Sequence, residues 1–226
     1  MKYFIANWKA HKTAVQCVEW SRSFLQLLQS HSEVVEIMRQ EQIKVIICPT
    51  YPFLFYIKQL FNQYPQIGIG TQDVSMFPEG KYTGEVAASQ IKDAIEYAII
   101  GHSERRMQLN ESEDQISKKL EQLTQNQILP ILCVRNDKDT IYQSAAIVAY
   151  EPIDAIGSGN NMQVADVVAM KQKLTLHQNQ AFLYGGSVNA SDSDEYLQSQ
   201  EIDGFLIGTA SLEADAFMQT ILQYKP

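Results

Sequence analysis

The chain has 226 residues, 45% of them apolar and 10% aromatic, with no Pro/Gly/Ser-rich linker or block of like charge dividing it. This predicts one domain with a sizeable buried core. The formal charge is -8 with scattered basic residues, which argues against a nucleic-acid surface and means that an anionic substrate would need a local cation. No stretch reaches membrane-spanning length, the start lacks a cleavage pattern, and Cys17, Cys48 and Cys133 are odd in number and widely spaced. The expectation is a soluble cytoplasmic chain carrying thiols, with neither a disulfide framework nor a metal site.

From the N-terminus, short apolar, β-branched-rich runs recur at 3–6, 45–48, 67–70, 97–100, 129–134, 147–150, 182–184 and 205–207. Segments of helical periodicity lie between most of them, as at Val15, Val18, Phe24, Leu25 and Leu28, or at Ile116, Leu120 and Leu123. Alternating strand and helix predicts a parallel sheet with right-handed crossovers. Continuous apolar strands are buried on both faces, which suits an α/β barrel wrapped by helices. One crossover is too short for that pattern. Residues 135–146 must return along a strand of about 17 Å, and a two-turn helix would use seven of them to cover about 10 Å. An extended connection or a single helical turn is expected there, with the outward strand surface beside it thinly covered.

Four motifs stand at or near strand ends. The first, Asn7-Trp8-Lys9, closes the first run, and alternation directs Asn7 and Lys9 the same way. His102 follows Ile99-Ile100-Gly101 and precedes Ser103-Glu104-Arg105-Arg106, where a short helix should begin. The N–H groups of that helix are expected to lower the imidazole pKa and keep the ring neutral. Glu151 ends the run Ile147-Val148-Ala149-Tyr150 and leads into a Pro-to-Gly loop that contains Asp154 and Gly157. The last, Tyr184-Gly185-Gly186-Ser187-Val188, is a glycine-permitted turn. Taken singly, each also reads as an ordinary strand-end residue or turn.

Together, in this order and spacing, the motifs resemble the triosephosphate isomerase family over nearly the whole chain. The resemblance implies a (β/α)8 TIM barrel and a glycolytic enzyme that interconverts dihydroxyacetone phosphate and glyceraldehyde 3-phosphate with no metal or organic cofactor. It makes Glu151 the base, His102 the electrophile, Lys9 the fixed cation and Asn7 its neighbour in the site. Gly157, Ser187, Gly208 and Thr209 would grip the phosphate through backbone N–H groups. The loop 72–85, with Thr83, Gly84 and Glu85, resembles an element that inserts into a neighbouring subunit, which implies a homodimer. Two other readings stay open: an isomerase of another short ketose phosphate, and a phosphate-binding barrel without useful catalysis.

The chain departs from the family in one neighbourhood. The family has Trp on the loop after the base where this chain has Asp154, and Gly-Glu after the fifth strand where it has Arg135-Asn136. Asp154 and Arg135 are oppositely charged, and are expected to meet when the loop closes. The family's two glycines are replaced by Gly208-Thr209.

Overall fold

A computed structural model describes residues 1–152 and 161–226. Eight parallel strands close into a barrel in chain order: β1 (Lys2–Asn7), β2 (Ile43–Cys48), β3 (Ile67–Thr71), β4 (Tyr97–Ile100), β5 (Leu129–Val134), β6 (Ile147–Tyr150), β7 (Ala181–Tyr184) and β8 (Gly204–Ile207). Each lies within two residues of its predicted run. The structure is the expected (β/α)8 TIM barrel.

Period-two alternation sorts the strand residues into two cores. Ile5, Ile46, Ile99, Ile131, Ile147, Leu183 and Leu206 pack together inside the barrel. Their neighbours Phe4, Val45, Ile47, Ala98, Leu132, Val148 and Phe205 face outward onto the helices. Both sets are buried, which is why the strands read as unbroken apolar runs.

Helices α1 (Ala14–Ser30), α2 (Ser32–Arg39), α3 (Leu54–Leu60), α4 (Ala88–Ile91), α5 (Ser103–Gln108), α6 (Glu113–Gln125), α7 (Val164–Lys173), α8 (Ala190–Gln198) and α9 (Ala214–Ile221) form the outer layer. The longer ones begin where local chemistry dictates. Thr13 and Gln16 cap α1 reciprocally, and Ser112 and Gln115 do the same for α6. On α6, Ile116, Leu120 and Leu123 recur at helical spacing and are buried, together with Lys119.

Residues 135–146 contain only bends and turns, as their length requires. The expected thin cover beside them is not found. Leu132, Val134, Val148 and Tyr150, the outward residues of β5 and β6, are at most 3% exposed. The reason is that Ile141 and Tyr142 turn back against the core in place of a helix. The Tyr142 hydroxyl donates to Glu113 O at 3.2 Å and lies 3.1 Å from its carboxylate, while Gln180 Nε2 donates to Tyr142 O and Ala145 O at 2.8 and 2.9 Å. Tyr142→Ala is therefore expected to lower unfolding free energy by about 2–3 kcal/mol, below the range for a fully buried aromatic. It should leave kcat near the parent value. An unchanged denaturation midpoint would show that the tyrosine is not what covers these strands.

Candidate active site

A cavity of about 150 Å³ opens at the carboxyl ends of the strands and is lined by Asn7, Lys9, His102, Glu151, Ser187, Gly208 and Thr209, with Gly185, Gly186 and Leu206 among the rest of its wall. Seven of the eight predicted site residues are thus brought together from β1, β4, β6, β7 and β8 or the turns after them. Gly157 and Asp154 lie outside the described residues.

Lys9 reaches the cavity by a different route from the one alternation suggests. β1 ends at Asn7, and Lys9 stands beyond it with a left-handed backbone, φ 50°. That turn is locked on both sides. Lys9 N donates to Asn7 Oδ1 at 3.0 Å, and Gln72 Nε2 donates to Lys9 O and Cys48 O, both at 2.9 Å. The Lys9 ammonium meets Glu104 Oε1 at 2.5 Å. Nothing about Gln72 in the sequence marks it for this task, because its role depends on β2 and β3 lying side by side.

His102 caps α5, as its position before Ser103 predicts. Its Nδ1 accepts the Glu104 N–H at 3.2 Å, and its Nε2 lies 2.8 Å from Glu151 Oε1. A ring nitrogen that accepts a backbone N–H carries no proton there, so a neutral ring donates through Nε2 to the carboxylate. Glu151 is 2% exposed, and its other oxygen accepts the Ser103 N–H at 2.8 Å. The base and the electrophile therefore hold each other.

This pairing reverses the expected shift of the histidine. Burial disfavours a charged ring, but the Glu151 carboxylate outweighs it and raises the His102 pKa above its ordinary 6.5. For Glu151 burial pushes upward, while His102 and the Ser103 N–H pull harder and lower its pKa below the ordinary 4.5. The helix N-terminus acts as expected, through the Glu104 N–H, but it is overridden by a charge partner from β6 that no local motif reveals. Below Glu151, burial and the same carboxylate push the Cys133 thiol well up, so it stays a neutral wall of the barrel interior.

The turn after β7 is shaped around the base. Gly185 N donates to Tyr150 O at 2.7 Å, and a Cβ on Gly185 would sit 2.9 Å from Glu151 Cγ. No larger residue fits beside the carboxylate as placed. The Tyr184 hydroxyl accepts the Met162 N–H at 3.0 Å, and the Tyr196 hydroxyl donates to Met162 O, so both peptide groups of Met162 are fixed by a stacked pair of rings.

Around the site, Arg105 and Lys119 bridge Asp73 and Glu111, tying the base of the loop 72–85 to α5 and α6. Arg106 donates to Gly101 O at 2.7 Å, directly before His102. Arg135 is held by Asp139 through two side-chain contacts of 2.9 and 2.7 Å, with a third from its own N–H at 2.7 Å. The cation expected to meet Asp154 thus has a carboxylate partner four residues away.

The family model for triosephosphate isomerase matches residues 2–224. The chain is 34% identical to a triosephosphate isomerase of Thermus thermophilus, covering 94% of each chain. It is 32% identical to that of Mesomycoplasma hyorhinis over 96% of each, and 30% identical to that of Dictyoglomus turgidum over 97% of this chain and 98% of the relative.

Proposed function

The chain belongs to the triosephosphate isomerase family, and on that premise we propose that its cavity interconverts dihydroxyacetone phosphate and D-glyceraldehyde 3-phosphate through an enediolate, with one domain carrying the whole site. The observation that carries the assignment of roles is the 2.8 Å contact between Glu151 Oε1 and His102 Nε2 in a cavity that also holds Lys9. The carboxylate takes the proton from one substrate carbon and returns it to the next. His102 donates its Nε2 proton to the oxygen where charge develops, and Lys9 supplies the cation that an acidic chain needs beside a phosphate. Ser187, Gly208 and Thr209 line the same cavity, which supports the reading that they receive the phosphate. Rates on three- and four-carbon ketose phosphates test the substrate. A clear preference for the four-carbon compound would replace this reading with that of a related isomerase.

Substrate must part Glu151 from His102, and this sets the pH dependence. In the free enzyme the ring protonates as pH falls through its raised pKa, above about 6.5, and locks into an ion pair with Glu151. The Glu104 carboxylate, with Oε2 3.8 Å from Nδ1, also favours the charged ring. With substrate bound, Glu151 faces carbon and no longer supports the ring charge. The acid limb of kcat/KM should therefore lie at higher pH than that of kcat, and coincident limbs would contradict the pairing.

The loop 72–85 supports a homodimer. It is folded on itself, with Ser75 N donating to Val86 O at 2.9 Å, Ser75 Oγ to Glu85 at 2.6 Å, and Phe77 stacked on Tyr82. Its Thr83, Gly84 and Glu85 are exposed. A second cavity of about 260 Å³, lined by Lys9, Gln72, Glu104 and Leu109, opens beside the first and is a suitable receptor for such a tip. Leu109, at 62% exposure, is the kind of apolar residue a partner would cover. Shortening the loop should give monomers of low activity. A parent protein that sediments as a fully active monomer would exclude this assembly.

A further inference from the structure

The turn carrying Gly208 and Thr209 is held from behind by a second lysine. Residues 209–211 form a single 3₁₀ turn in which Ser211 N and Leu212 N donate to Gly208 O and Thr209 O at 2.9 and 3.0 Å. The first N–H groups of such a turn have no partner inside it, and Thr209 and Ala210 line the active-site cavity. On the far side, Lys12 Nζ donates to Leu212 O at 2.5 Å and Trp20 Nε1 donates to Ser211 O at 3.0 Å. Ser211 Oγ lies within hydrogen-bond reach of Ile207 O at 3.0 Å and Gly208 O at 2.7 Å.

Lys12 also lies against the segment that bears Lys9. Its ammonium stands 5.3 Å from the ring centroid of Trp8, the residue between Asn7 and Lys9, and Trp8 packs edge-on against Trp20 at 4.8 Å. The backbone of Lys12 is left-handed, φ 74°, which turns the chain back toward β8. The turns are in close contact on the cavity side too, since a Cβ on Gly208 would lie 3.2 Å from Lys9 Cε. One partly buried cation therefore joins the element that bears Lys9 to the element that bears Gly208 and Thr209. Burial lowers its pKa, with Glu213 nearby opposing that shift.

We propose that Lys12 is a positioning residue for the phosphate group: it pins the Leu212 carbonyl away from the cavity, fixes the turn so that its leading N–H groups face inward, and adds positive potential behind them. The inference rests on the reading that the phosphate binds at this turn. It offers a physical reason why Thr209 is tolerated there, since the turn is braced by side chains from α1 and the loop before it.

The test is competitive inhibition by inorganic phosphate, measured beside KM and kcat for parent, Lys12→Met and Lys12→Arg. For Lys12→Met the inhibition constant and KM should rise together by about fivefold, the upper end for a half-exposed charge contact, while kcat stays within about twofold. Lys12→Arg, which keeps both charge and donor, should restore both constants. Added salt should weaken phosphate binding less in Lys12→Met than in the parent. If Lys12→Met does not fold, Lys12→Gln carries the same comparison. An unchanged inhibition constant in a folded variant, or a fall in kcat with KM unmoved, would overturn the proposal. Failure of phosphate to compete in the parent would instead remove the phosphate reading of the turn, and the role of Lys12 with it.

Discussion

Replacing Glu151 with Gln is expected to lower kcat by about 100- to 10,000-fold, the range for loss of a general base. An amide has the shape of the carboxylate but cannot take a proton from carbon. It also changes the resting site, because Glu151 accepts from both His102 Nε2 and Ser103 N, and an amide offers only one accepting oxygen. One of those donors then faces an NH2 group, so a loss of about 1–3 kcal/mol in stability accompanies the kinetic effect. The variant should still fold. Activity within tenfold of the parent in a folded Glu151→Gln protein would show that the base lies elsewhere.

Lys9→Met should lower kcat/KM on the order of 100-fold, since losing a charge-assisted contact to the substrate costs about 1.5–3 kcal/mol. It also leaves Glu104 behind. Its carboxylate meets the Lys9 ammonium at 2.5 Å, and without that partner it would present a bare negative charge beside His102 and the incoming phosphate. Substrate affinity should suffer most, and its dependence on salt should flatten as the attracting cation is lost. The measurement is KM across a range of ionic strength. A KM and salt response like those of the parent would reduce Lys9 to a solvated strand-end residue.

The parts that a sequence reveals here are those fixed by burial and by length. β5 and β6 could be read because Ile131, Cys133, Ile147 and Ala149 fill the barrel while Leu132, Val134 and Val148 pack into the outer core, leaving no polar position to blur the run. The missing helix at 135–146 followed from the length of chain available. What covers those strands did not follow, since Tyr142 acts through Glu113 and Gln180, which are distant in sequence. Lys9 was legible as a site residue but not as a left-handed one, because the turn depends on Gln72 from after β3. The histidine is the clearest case. Its local setting, a helix start, predicts a lowered pKa, and the Glu151 contact made by barrel closure reverses the sign.

If Glu151 moves a proton between adjacent substrate carbons through an enediolate, turnover in deuterated solvent should reveal the transfer. Dihydroxyacetone phosphate would be turned over in D2O by the purified chain and by Glu151→Gln, with the product read by proton NMR. A carboxylate that exchanges its proton with solvent before returning it should place deuterium at carbon 2 of glyceraldehyde 3-phosphate in the parent, and Glu151→Gln should form almost no labelled product in the same time. Isomer formed at the parent rate by a folded Glu151→Gln protein, labelled or not, would contradict this mechanism, whereas hydrogen carried from one carbon to the next without exchange would not.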